Sequence, residues 1–108
     1  MNLKVLQLCI TLIKLLRALA AKIRKHDRSL YDQLKRAASS VPLNTSEGLR
    51  FRDGNRRQRL ETAAGSADEV LTILHVAAAW GYINEKEIAE PADLIDQIQA
   101  ILYTLARK

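Results

Sequence analysis

The chain is poor in aromatic residues, with one Phe, one Trp and three Tyr among 108 residues. Leu, Ile and Ala supply the apolar content instead, as in a helical bundle rather than a β-sandwich. Four Gly and two Pro are too few for a loop-rich fold. A single cysteine, Cys9, excludes an internal disulfide and a Cys-rich metal site. It reads as a small core residue. An uninterrupted span of about 20 apolar residues is also missing. Residues 3–23 come nearest, and Lys4 followed by an apolar run and Ala18-Leu19-Ala20 has the outline of a signal peptide. Lys14 and Arg17 interrupt that run. The expectation is a soluble, cytoplasmic protein with no membrane partner.

Acidic residues are scarce in the first part of the chain. Residues 1–60 hold fourteen Lys/Arg against four Asp/Glu, a net +10. Residues 61–108 hold three against eight, a net −5, and together they give the chain its +5. Such a split suits a polyanion partner, complementary contacts between subunits, or two solvated faces that keep the protein soluble.

Apolar spacing predicts four helices in one domain, residues 1–108, with no repeat or linker. Helix 1 is expected from Asn2 to Lys25. Val5, Cys9, Leu12, Leu16, Leu19 and Ile23 recur at steps of four and three, one face of a helix. Leu3, Leu6, Ile10 and Ile13 form a second stripe beside it. A bundle helix needs only one apolar stripe, so helix 1 is expected to carry a subunit interface. Asp27 is the predicted N-cap of helix 2, whose inward residues are Leu30, Leu34, Ala37 and Val41. Asp53-Gly54-Asn55 marks a turn. Helix 3 then runs to Trp80 on Leu60, Ala63, Ala67, Val70, Leu74 and Ala77. The small residues Ala63 to Ala67 should let a neighbouring helix approach closely. Gly81 suits a C′ position with positive φ. Asn84 caps helix 4, which carries Ile88, Ile95, Ile98, Leu102 and Leu105, with Pro91 setting off a short first turn. Short connections between amphipathic segments imply an all-α, antiparallel up-down-up-down four-helix bundle.

One segment does not fit an ordinary helix. Ser40-Val41-Pro42-Leu43-Asn44-Thr45-Ser46-Glu47-Gly48 places a proline in the middle of helix 2. An interior Pro removes a backbone hydrogen bond and crowds the preceding turn, at a cost of about 3 kcal/mol. Helix 2 is therefore expected to bend at Pro42 and resume as far as Leu49 or Phe51. Asn44 and Glu47 should bond backbone groups freed there, or pair with Arg36. Alternatively they line a site.

The stretch Leu34-Lys35-Arg36-Ala37, this Pro42 segment, Ala63-Ala64-Gly65-Ser66 and Gly81-Tyr82-Ile83 follow one another in an order that resembles a bacterial family. That family comprises four-helix-bundle proteins encoded in intervening sequences of 23S ribosomal RNA genes, also called the S23 ribosomal protein family. The similarity spans about half the chain. Thr45 departs from it, standing where the family has an apolar residue. The resemblance implies a bundle that assembles as a homopentamer. It also implies kinship with the accessory variability proteins of diversity-generating retroelements, which are basic, pentameric, and bind nucleic acid and a reverse transcriptase. Pro42, Asn44, Glu47 and Gly48, with Arg36, are then motif residues of the family.

The candidate ligand residues are cationic. Arg50, Arg52, Arg56, Arg57 and Arg59 fall within ten residues at the helix 2–helix 3 turn. Arginine offers phosphate a planar fork of donors, Phe51 could stack on a base, and a helix N-terminus adds partial positive charge. Lys22, Arg24, Lys25 and Arg28 form a second cluster at the helix 1–helix 2 turn, at the opposite end of the bundle. The plainer role of the helix 2–helix 3 arginines is solvated pairing with Glu61, Asp53 or a neighbouring subunit.

No catalytic pattern is visible. His26 and His75 belong to no metal-spaced motif. Glu61, Asp68 and Glu69 do not form the carboxylate and Glu-x-x-His sets of di-iron bundles. Ser39, Ser40 and Ser66 lack a recognisable base, and no nucleophile elbow is present. Trp80, Tyr82 and Tyr103 are expected as core or interface anchors. The sequence reads as a non-enzyme without cofactor or metal. It binds RNA or DNA through basic turns, or serves purely as a protein-interaction module.

Overall fold

The computed structural model describes residues 3–52 and 54–108. Asn2, the Leu3 side chain and Asp53, all used above, lie outside the described residues. The chain folds into α1 (Leu3–His26), α2 (Arg28–Arg50), α3 (Gly54–Ala79) and α4 (Ala89–Ala106). A single 3₁₀ turn, Glu85–Ile88, precedes α4. Each helix packs against the next, and α1 packs against α4. The result is an antiparallel up-down-up-down bundle of 43 × 23 × 18 Å.

The stripes read from the sequence form the core. Val5, Cys9, Leu12, Leu16, Leu19 and Ile23 of α1 are all buried, as are Leu30, Leu34, Ala37 and Val41 of α2. Leu60 to Ala77 of α3 and Ile95, Ile98, Leu102 and Leu105 of α4 complete it. The second stripe of α1 is only partly covered. Ile13 packs against the core, Leu6 is half-buried, and Ile10 is 46% exposed.

The connections are short because their caps are specific. Asp27 alone separates α1 from α2, in extended backbone, and its carboxylate accepts from the Leu30 N–H at 2.9 Å. After α3, Gly81 adopts φ +85°. The Gly81 N–H donates to Ala78 and the Tyr82 N–H to Ala77, each at 2.9 Å. This is a Schellman motif, which satisfies the last carbonyls of the helix. Asn84 and Glu87 then form a reciprocal capping box. Helix α3 begins at Gly54, one residue before the Asn55 start expected from the sequence.

Helix α2 is α-helical without a break from Arg28 to Arg50, through Pro42. It lies close to α3. The Ser40 and Ser66 hydroxyls bond across the pair at 2.8 Å, and Ala63, Ala64 and Ala67 are fully buried there. Gly65 does not take part in the close approach expected of its cluster. It is exposed, with open space where a Cβ would stand. The glycine that admits the neighbour is Gly48, on α2. Among the described residues, no helix is long and apolar enough to cross a membrane.

Candidate nucleic-acid interface

The α2–α3 end gathers the arginine cluster. Arg50, Arg52, Arg57 and Arg59 are exposed and Arg56 is half-buried. Arg57 pairs with Glu61 one turn along α3, at 3.5 Å. Arg56 Nη1 donates to the Phe51 carbonyl at 3.5 Å, and Arg59 Nη1 donates to Asn44 Oδ1 at 3.3 Å. Arg50 and Arg52 have no hydrogen-bond or ionic partner among the described residues. The first turn of α3 contains no acidic residue, so three arginines crowd the positive end of a helix dipole. Helix stability alone favours acids at that position. Phe51 is half-buried as the α2 cap, its N–H donating to Gly48.

The α1–α2 end holds Lys22, Arg24, Lys25 and Arg28, all exposed. Two are engaged by carboxylates. Lys22 Nζ meets Glu87 at 2.6 Å, tying α1 to the 3₁₀ turn, and Arg28 faces Asp32 at 3.7 Å. The Glu87 carboxyl is held below its ordinary range by the hydrogen bond from Lys22 and then by the Asn84 N–H. Arg24 lies over the Tyr31 ring at 5.4 Å, a cation–π geometry. Lys25 has no partner among the described residues. Arg24 and Lys25 also sit in the last turn of α1, where cations complement the helix dipole.

The Pro42 segment serves the α2–α3 contact. Pro42 lacks the N–H that would have reached the Ala38 carbonyl. Asn44 acts two residues along from that group, donating through Nδ2 to the Ser40 carbonyl at 3.1 Å and to Ser40 Oγ at 2.8 Å. Ser40, Ser66, Asn44 and Arg59 thus form one polar chain across the two helices. Glu47 is half-buried without a hydrogen-bond or ionic partner among the described residues, and Arg36 does not reach it. Thr45, the departure from the family pattern, is fully buried and donates to the Val41 carbonyl at 2.7 Å. Burial pushes the Cys9 thiol up to about 11, with Thr45 beside it pulling the other way.

Sequence reasoning missed an aromatic row. Trp80 is not a core anchor, being 69% exposed. It lies 6.5 Å from Tyr82 with ring planes 15° apart, and Tyr82 stacks on His26 at 5.0 Å and 2°. The only signal in the sequence was Gly81 between Trp80 and Tyr82, since a left-handed residue there reverses the chain after α3 and brings Tyr82 back beside Trp80 and His26. His75 instead faces Glu85, at 3.9 Å. Among the described residues, no three His, Cys, Asp or Glu side chains converge as a metal site would require.

The same architecture occurs in a solved structure. A protein of unknown function from the S23 ribosomal protein family of Bacteroides thetaiotaomicron VPI-5482 superposes with a TM-score of 0.82. The two share 15% identity over 96% of this chain and 99% of the other, so the likeness concerns the fold. No curated protein matches the chain. The family of 23S rRNA-intervening sequence proteins matches residues 1–104. That span takes in the Pro42 segment, the Gly81 turn and nearly all of α4, and the chain therefore belongs to the 23S rRNA-intervening sequence protein family.

Proposed function

We propose that the protein is a non-enzymatic, homo-oligomeric bundle that binds nucleic acid through its basic ends. One observation carries this reading. Of the five arginines at the α2–α3 end, only Arg57 meets a carboxylate among the described residues, and Arg56 and Arg57 stand in a first turn of α3 that holds no acidic residue. Cations not consumed inside the subunit are available to phosphate oxygens, which arginine binds with a fork of donors. Oligomerisation is supported by the uncovered flank of α1 at Leu6 and Ile10. A pentamer, as the resemblance implies, would repeat each basic end as a ring. A reverse transcriptase as protein partner rests on the resemblance alone and adds no residue to this reading.

A second reading follows from the charge split. The cations lie mainly on α1, α2 and the start of α3, and the acids on α3 and α4. The basic side of one subunit could dock on the acidic side of the next, with no nucleic acid involved. Arg56, Arg57 and Arg59 changed together to Glu separates the two. Fluorescence anisotropy of labelled RNA and DNA at about 50 mM salt, with light scattering for mass, gives the answer. Loss of nucleic acid with the mass unchanged is the expected result. Loss of the oligomer instead would assign the arginines to a subunit contact. Absence of any nucleic-acid binding by the unaltered protein would overturn the first reading.

A further inference from the structure

We propose that Trp80 is the outer step of a stacking platform for an unpaired nucleobase, so that this end of the bundle takes single-stranded rather than duplex nucleic acid. The inference deepens the nucleic-acid reading above and rests on it.

The geometry is that of a row of three rings with Tyr82 in the middle and exposed His26 and Trp80 at its ends. His26, Tyr82 and Trp80 lie in near-parallel sequence, with planes 2° and 15° apart. His26 comes from the end of α1, and the other two flank the Gly81 turn after α3. The middle member is anchored, because Tyr82 packs against the core and its N–H closes the Schellman motif. Trp80, at one end, is 69% exposed. A flat ring presented to solvent at the end of a fixed row suits another flat ring. Every base has such a face, so stacking of this kind tolerates sequence.

The surroundings suit a strand. A shallow hollow of about 470 Å³ lies beside the row, lined by Lys22, Lys25, His26, Tyr82 and Asn84 among others. Arg24, Lys25 and Lys86 near this end have no carboxylate partner among the described residues, leaving cations for the phosphates on either side of a stacked base. A protein partner would ask for a wider apolar surround, since interface cores are apolar and lysine-poor. Here the exposed apolar neighbour is Val76, one turn back on α3, and the remaining rim is polar or charged. Inside a duplex each base is already stacked on both sides, and only a terminal pair offers a free face.

The chain has one tryptophan, so its fluorescence reports this position alone. The full-length protein is titrated with four labelled probes of equal length. These are oligo(U), oligo(dT), an abasic strand with the same phosphates, and a hairpin whose loop is abasic and whose open end is closed by abasic linkers. Binding is followed by anisotropy and stacking by Trp80 quenching. The expected result is quenching by the strands that carry unpaired bases and not by the abasic strand or the hairpin. Comparison of oligo(U) with oligo(dT) shows whether the 2′-hydroxyl matters. Trp80→Ala should weaken oligo(U) or oligo(dT) binding by roughly 5- to 100-fold, the range expected for one base–aromatic stack. Trp80→Phe should recover part of it. Strand binding without quenching, with Trp80→Ala as tight as wild type, overturns this inference and leaves the nucleic-acid reading standing. No anisotropy change with any probe overturns both. A fall in mass of Trp80→Ala by light scattering would make Trp80 a subunit contact, which also overturns it.

Discussion

Gly48 of α2 stands against Leu60 of α3 so closely that a Cβ on Gly48 would lie 3.0 Å from the Leu60 side chain and 3.1 Å from the Cβ of Arg59. Leu60 is fully buried and has little room to yield. Alanine at position 48 would gain about 0.5–1 kcal/mol of helix propensity but would overpack the contact by about 1–3 kcal/mol. Gly48→Ala should therefore be destabilising on balance. Gly65→Ala meets no neighbour and should stabilise by about 0.5–1 kcal/mol. Urea denaturation of both variants tests the contrast, and shifts of the same sign would contradict it.

The Cys9 thiol makes stability fall in alkali. Its ordinary value of 9.0 is raised to about 11 in the fold, chiefly by burial. Between those limits the folded state holds a proton that the unfolded state has lost, so stability declines as pH rises through the window. The effect reaches about 2 kcal/mol by pH 11. Cys9→Ala should show a shallower decline over the same range, although its cavity lowers stability at neutral pH. The native thiol should also react slowly with a disulfide reagent at pH 8 until denaturant is added.

Lys22 and Glu87 give an opposite dependence on the acid side. The bond from Lys22 lowers the Glu87 carboxyl from 4.5. A depressed acid stabilises above its unfolded value, and the contribution disappears as pH falls through the folded one. In Lys22→Ala the Glu87 titration, followed by carboxyl NMR, should move upward toward 4.5. Removing the other half of the capping box by Asn84→Ala should cost about 1 kcal/mol and fray the 3₁₀ turn. An unmoved Glu87 titration in Lys22→Ala would show that the pair does not persist in solution.

Ile10 tests the assembly. Its side chain is 46% exposed beside half-buried Leu6, on a helix whose core face is already filled by Cys9 and Leu12. Ile10→Lys should lower the mass measured by light scattering while leaving helical circular dichroism intact. An unchanged mass would place the subunit contact elsewhere.

The bundle was legible because its information is local. The stripes of α1 to α4, the cap at Asp27 and the left-handed Gly81 each depend on residues within a turn or two of one another. Contacts across helices were not. Which glycine meets a neighbour depends on the rotation of both helices, and the close approach falls at Gly48 rather than at Gly65 for that reason. Arg59 reaches Asn44 rather than Arg36 reaching Glu47, because the short α2–α3 connection fixes the facing turns. The row from His26 to Tyr82 joins residues far apart in sequence that meet only through up-down topology. The arginine cluster was visible as composition, whereas its shortage of carboxylate partners became visible only once the side chains were placed.

The single-residue connection at Asp27 has a mechanical consequence. Arg24, Lys25 and Arg28 span a junction with no slack, since one extended residue joins two helices and its own carboxylate locks the second. Their mutual spacing is set by backbone hydrogen bonds rather than by a loop that could adapt. The backbone positions that carry these charges are thus fixed before any ligand arrives, and only the side chains themselves remain to be ordered on binding. On the proposed function, a frame of this stiffness would favour a guest by the pitch of its charges as well as by their number.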